Sequence, residues 1–263
     1  MSGLARFARW QIRCRIERES VLPWIGGSSL VVSRGMHGAT GNIYLGLHEC
    51  PDMAFLLHLL RPGDLFIDAG ANVGTYTVLA SKVCGVRTVA VEPDPGTLQS
   101  LRRNIAHNAI EAAVTVEACA LGPSDGEIRF SIGLDTVNHV VGSADEPSRV
   151  VPMRSLDSLL AGKKPTLIKI DVEGFEESLL EGARSVLRCE SLLALEVETV
   201  SERALAMLAE AGFERVSYEP FERMIRDPSQ ARGANNSLFV RDRAEIMRRV
   251  SSAPRRRVYG VEI

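Results

Sequence analysis

The sequence contains no run of about 18 apolar residues, so it offers no candidate for a membrane-crossing helix. Its five cysteines, Cys14, Cys50, Cys84, Cys119 and Cys189, stand singly, with no CxxC pair and no Cys/His spacing suited to zinc. That argues against a zinc ribbon or a disulfide scaffold. It predicts reduced, mostly buried thiols and a cytoplasmic location. Aromatics make up only 5% of the chain, and the composition marks neither a long aromatic groove nor a lipid-binding helix. The first twenty residues are Arg-rich but lack the apolar core of a secretory leader. One further absence concerns function: a glycine expected at position 72 is an asparagine.

Acidic and basic residues nearly balance, at a net charge of −2, but unevenly. Residues 1–20 carry five arginines against two acids, and residues 241–263 carry seven against three. The middle is therefore strongly acidic. That argues against a nucleic-acid groove there. The Arg-rich ends suit a peripheral contact with an anionic membrane or an acidic partner, or simply solvated faces. Nothing in the pattern fixes an oligomeric state.

The chain divides into three parts. Residues 1–50 read as a lead-in of helix and short strands, residues 51–241 as one α/β domain, and residues 242–263 as a basic tail. Within the domain, LFIDA, RTVAVE, VTVEACAL, TLIKID and LLALEV are expected strands separated by helical runs, and FERVSYEP and NSLFVRD follow. This βα alternation predicts a mainly parallel sheet covered on both faces. It fails between about 122 and 165, where two strand-like runs flank the polar loop DTVNHVVGSADEP. Ligands of such sheets bind beyond the carboxyl ends of the strands.

The stretch FIDAGANVG, 66–74, runs from a strand into a glycine turn and a helix. It resembles a dinucleotide turn, with Glu92 closing the next strand where an acid would bond ribose hydroxyls. Asn72 replaces the glycine that lets a backbone approach pyrophosphate. Asp68, at the mouth of the turn, would repel a phosphate and attract a sulfonium. Asp68, Gly70, Asn72, Gly74 and Glu92 therefore favour S-adenosylmethionine over NAD. In the second informative segment, TLIKIDVEGFE, Asp171 closes strand four and faces the same crevice, with Glu173 beside it. Both also suit helix capping.

NIYLGLHE, FIDAGANVGTYTVLAS, VAVEPDPGTLQSLRRNI and TLIKIDVEGFEESLLEGA together resemble the FkbM family of S-adenosylmethionine-dependent O-methyltransferases, over about residues 41–241. The resemblance implies a class I methyltransferase (Rossmann-like) fold with a mainly parallel seven-stranded sheet, the last strand antiparallel. It implies methylation of a hydroxyl on a sugar, glycan or macrolide, with Asp68, Gly70, Asn72 and Gly74 in the cofactor turn and Glu92 on the ribose.

Methylating an alcohol calls for a base. His139, in the polar loop, is the first choice, with Asn138 beside it for a sugar hydroxyl. Asp171 is expected to serve both cofactor and catalysis, with Glu173 assisting. His48 is the runner-up, His58 and His107 read as helix residues, and Tyr44 and Glu49 as a cover. No metal is expected. An NAD(P) oxidoreductase and a non-catalytic nucleotide-binding module are the competing readings.

Overall fold

The computed structural model describes residues 3–131, 140, 147–230 and 236–263. Among them the main sheet has eight strands. In chain order these are β1 (Leu65–Ala69), β2 (Arg87–Val91), β3 (Val114–Glu117), β4 (Leu167–Ile170), β5 (Ala194–Val197), β6 (Glu214–Glu219), β7 (Met224–Arg226) and β8 (Ser237–Val240). Their spatial order is β7-β6-β8-β5-β4-β1-β2-β3. β1 to β5 run parallel, and β8 pairs antiparallel with both β5 and β6. The expected seven strands and antiparallel last strand are present. β7 is an additional edge strand, missed in the sequence because only Ile225 of its three residues is buried.

The alternation of side chains sorts the core into two layers. Ile67, Ala69, Ile168, Ile170, Leu195 and Val197 pack against the helices Leu156–Leu160, Glu176–Glu181 and Glu202–Glu210. Phe66, Leu167, Ala194 and Val240 face the helices Cys50–Leu59 and Arg243–Ser251 on the other side. The helical run EESLLEGARSVL is divided into two helices, Glu176–Glu181 and Arg184–Leu187. The break falls at Gly182, where a Cβ would lie 2.1 Å from the Gly122 carbonyl oxygen, so the position admits only glycine.

The lead-in folds onto the domain through two asparagines. Asn104 and Asn108 accept from the backbone N–H groups of Val31 and Ser29, so the helix Pro95–His107 holds the hairpin Glu19–Pro23/Ser29–Ser33. The basic C-terminal segment is also docked. Ile246 and Val250 are fully buried, and Arg249 pairs with Asp64 at 2.7 Å. Where the βα alternation fails, Ala120–Leu121, Gly126–Ser131 and Ser148–Arg154 form a separate three-stranded sheet.

One row of the main sheet is charged. Asp68, Lys169 and Glu196 are register partners across β1, β4 and β5, and all three are buried. Neither Glu196 oxygen has a hydrogen-bond partner. Burial, and then the neighbouring Asp52, pushes the Glu196 carboxyl well above its usual range, while Lys169 opposes this. The native state therefore keeps a proton that the unfolded chain loses above about pH 4.5. The stability associated with that proton is full below this pH and is lost as pH rises. Glu196→Gln mimics the protonated form and should gain on wild type by up to about 1.4 kcal/mol per pH unit above it. Denaturant unfolding at pH 5 and pH 8 measures this. A constant offset between the two proteins would show Glu196 to be ionised in the fold.

Candidate active site

The carboxyl ends of β1, β2 and β4 open into one crevice with two lobes. Glu92, Asp94, Leu121, Phe130 and Phe175 line the first, and His48, Glu49, Asp68, Tyr76 and Lys169 line the second. Gly70, Asn72 and Asp171 belong to both, so the glycine turn and the end of β4 form the neck between them.

The turn is fixed by close backbone packing. Gly70 and Ala71 both donate their N–H to the Val91 carbonyl. Gly70 has φ +81°, and a Cβ there would lie 1.7 Å from the Asp171 carbonyl oxygen. Asn72 takes φ 49°, the left-handed conformation that a glycine would otherwise supply. Its side chain accepts from the Val73 N–H, and its own N–H donates to Glu92 Oε2 at 3.0 Å. The asparagine thus keeps the turn while adding a side chain. Gly74, at φ +91°, does not line the crevice. It clears Leu101 on the helix Pro95–His107, where a Cβ would approach to 2.5 Å.

Glu92 is anchored at both oxygens, the second accepting from the Asp94 N–H at 2.9 Å. Burial raises its carboxyl to about 7, although the two N–H donors oppose the shift. Asp68 accepts from Thr77 Oγ1 at 2.6 Å, and burial raises its pKa against the pull of Lys169.

Asp171 sits at the neck, its N–H bonded to the Ala69 carbonyl and its Oδ2 2.6 Å from the Lys169 ammonium. Burial pushes its carboxyl up, but the Lys169 ammonium and the hydrogen bonds from Lys169 and Glu198 together outweigh burial and hold it below the usual range. Glu198, just past β5, hydrogen-bonds Asp171. Burial and the Asp171 charge raise Glu198 to about 8, so at neutral pH it holds a proton for that bond. Asp171, Glu173 and Glu198 each place one oxygen within 4.8 Å of the others, a spacing a divalent cation could use. Lys169 and the Glu198 proton already offset much of that charge.

Neither Asp171 nor Glu173 caps the following helix. Glu176 holds the turn instead, accepting from the Val172 and Gly174 N–H groups. Glu173 stands at φ 51° on the lip of the first lobe. Glu49 lines the second lobe and accepts from Tyr76 Oη at 2.5 Å. Tyr44 does not reach the crevice; it packs edge-on against Phe7. His58 is buried against Tyr218, and burial lowers it to about 4. His107 is exposed on its helix. His139 and Asn138 lie outside the described residues, although Phe130 and Val140 of the same insertion line the first lobe.

Sequence reasoning missed Lys169 and Glu198. The signal for Lys169 was a lone charge within the apolar run LIKI; Glu198 carried none.

Comparison with known proteins settles the family. Residues 68–215 match the methyltransferase FkbM domain. The chain belongs to the FkbM methyltransferase family. The match begins at Asp68 and includes the turn, Glu92 and Asp171, and S-adenosylmethionine is the methyl donor of this family. The chain is 28% identical over 145 residues to the hexuronic acid methyltransferase AglP of Haloferax volcanii, covering 54% of this chain and 59% of that protein. It is 28% identical over 179 residues to the 31-O-demethyl-FK506 methyltransferase FkbM of Streptomyces tacrolimicus, covering 63% and 68%. An FkbM methyltransferase crystal structure from Methylobacillus flagellatus superposes at TM-score 0.45 with 19% identity, covering 69% of this chain and 48% of that one. The chain thus spans less than two thirds of the Haloferax relative and about half of the Methylobacillus chain.

The neck depends on the absence of a side chain at position 70. Gly70→Ala should destabilise the protein by about 2–5 kcal/mol, combining left-handed strain with a backbone clash. A denaturant midpoint equal to wild type would show that the turn does not approach Asp171 this closely.

Proposed function

We propose that this chain transfers a methyl group from S-adenosylmethionine to a hydroxyl of a sugar or glycan. The observation that carries this reading is the two-lobed crevice with an acid anchored in one lobe and an ionised carboxylate at the neck. Glu92 would hold the ribose hydroxyls, with the apolar wall of Leu121, Phe130 and Phe175 beside the base. Asp68 and Asp171 offer negative charge toward the second lobe, which suits a cationic ligand. Gly70 keeps the neck open to the backbone. These residues fit the cofactor, which when bound supplies an electrophilic methyl on a sulfonium centre.

The protein's own part is to place the acceptor oxygen and take its proton. Asp171 is the best-placed group, since Lys169 keeps it ionised and Glu198 fixes it by a hydrogen bond. Glu173, on the lip, would bond an acceptor hydroxyl. His139 and Asn138, from the insertion, remain proposed as base and sugar contact. A macrolide hydroxyl is the second reading, favoured by the Streptomyces relative; the Haloferax relative and the polar groups at the neck favour the sugar.

A methyl-transfer assay over glycan and macrolide acceptors, read as a mass gain of one methylene, tests the activity. Asp171→Asn should lower turnover by about 100-fold or more. Retained turnover within about threefold would pass the base role to His139. Glu92→Ala should weaken S-adenosylmethionine binding by about 1.5–3 kcal/mol in calorimetry. Unchanged affinity would remove Glu92 from the ribose site.

A further inference from the structure

The helix Gly3–Ile16 is held to the domain by one face. Trp10 is its single buried residue and packs with Leu30, Val32 and Ala39. On the opposite face Leu4, Ile12 and Ile16 are 83%, 62% and 80% exposed. With Ala8 they recur at four-residue spacing, which places them in one stripe along the helix. A stripe of this kind would normally seat a surface helix on its core. Here the core contact is made by the other side, and the stripe is left open.

Charge flanks the stripe. The helix carries Arg6, Arg9, Arg13 and Arg15 and no acid. Arg9 and Arg13 edge it on one side and line a groove with Leu22, Pro23 and Tyr259. Arg15 projects on the other side. Arg6 donates to the Tyr44 carbonyl and Arg13 pairs with Glu17 at 2.7 Å, so Arg9 and Arg15 are the arginines taken as facing outward beside the stripe. At the basic C-terminus Arg249 pairs with Asp64, Arg255 with Glu262, and Arg256 donates to the Val83 carbonyl. Both ends expose some apolar surface, Tyr259 and Val261 at the C-terminus, but the N-terminal helix aligns its exposed apolar residues in one stripe beside its arginines.

We propose that this helix is a peripheral membrane anchor that lies in the plane of an anionic phospholipid surface. Leu4, Ile12 and Ile16 enter the boundary between headgroups and acyl chains, and Arg9 and Arg15 reach lipid phosphates. Arginine suits that boundary because its aliphatic stem packs on apolar surface while the guanidinium stays with the phosphates. Charge complementarity selects this occupant. A second copy would set arginines against arginines, whereas an anionic bilayer neutralises them. The acidic middle of the chain is repelled by the same bilayer, so binding fixes the orientation with the helix toward the membrane.

Cosedimentation of the full chain with vesicles tests the proposal. Phosphatidylcholine vesicles containing phosphatidylglycerol should bind the protein at least about tenfold more tightly than phosphatidylcholine alone, and added salt should weaken the binding. Ile12→Glu/Ile16→Glu should abolish it, and Arg9→Glu/Arg15→Glu should lower it by about tenfold or more. All four residues are solvent-facing, so melting and S-adenosylmethionine affinity should not change. Absence of wild-type binding, equal binding to both vesicle types, or binding indifferent to both variants would overturn the proposal. So would a dimer in light scattering that the isoleucine variant dissolves, since the stripe would then belong to a second copy.

Discussion

Lys169 places the single buried lysine or arginine among the described residues at the centre of the sheet, and the crevice is organised around it. Its ammonium reaches Asp171 at 2.6 Å, faces Asp68 and Glu196 across the neighbouring strands, and sits 4.7 Å above the Tyr76 ring. Burial alone would favour the neutral amine. The carboxylates of Asp171, Glu49 and Asp68 reverse that and hold the lysine charged. One ammonium cannot satisfy every nearby carboxyl in a medium of low dielectric. The fold therefore divides the acids. Asp171 is left ionised, while Glu196 and Glu198 keep protons.

That division connects the core to the chemistry. The ionised group is the one at the neck, where a methyl acceptor would meet the cofactor. Of the protonated ones, Glu196 lies within the sheet and Glu198 stands exposed beside Asp171, in a hydrogen bond to it. The glycine turn completes the arrangement by bringing its backbone against the Asp171 carbonyl, so the two chain segments that line both lobes are locked to each other. A ligand carrying positive charge adds a second cation to a site that has more acid than base.

Much of this was legible in the sequence. The strand-by-strand alternation gave the order of β1 to β5, because each apolar run ended at a glycine turn or an acid. Asp68, Gly70, Asn72, Glu92 and Asp171 all fell at strand ends, and the structure gathers them at one crevice. What was hidden depends on contacts distant in sequence. Gly74 reads as part of the cofactor turn, and its close approach to Leu101 shows only in the fold. Glu173 and Asp171 read as helix caps as readily as site residues, and only the fold shows that Glu176 holds the turn before the helix. Lys169 is one charge in an apolar strand, and its partners come from three other segments. The Arg-rich ends look alike as composition; burial separates a docked C-terminus from a helix with an open apolar face.

The central claim is that Lys169 sets the ionisation of Asp171 and with it the polarity of the crevice. A double-mutant cycle between Lys169→Met and Asp171→Asn, read from denaturant unfolding of the cofactor-free protein, measures this directly. A coupling of about 1.5–3 kcal/mol is expected, with Asp171→Asn much less costly once the lysine is gone. Additivity of the two substitutions within about 0.5 kcal/mol would contradict the account.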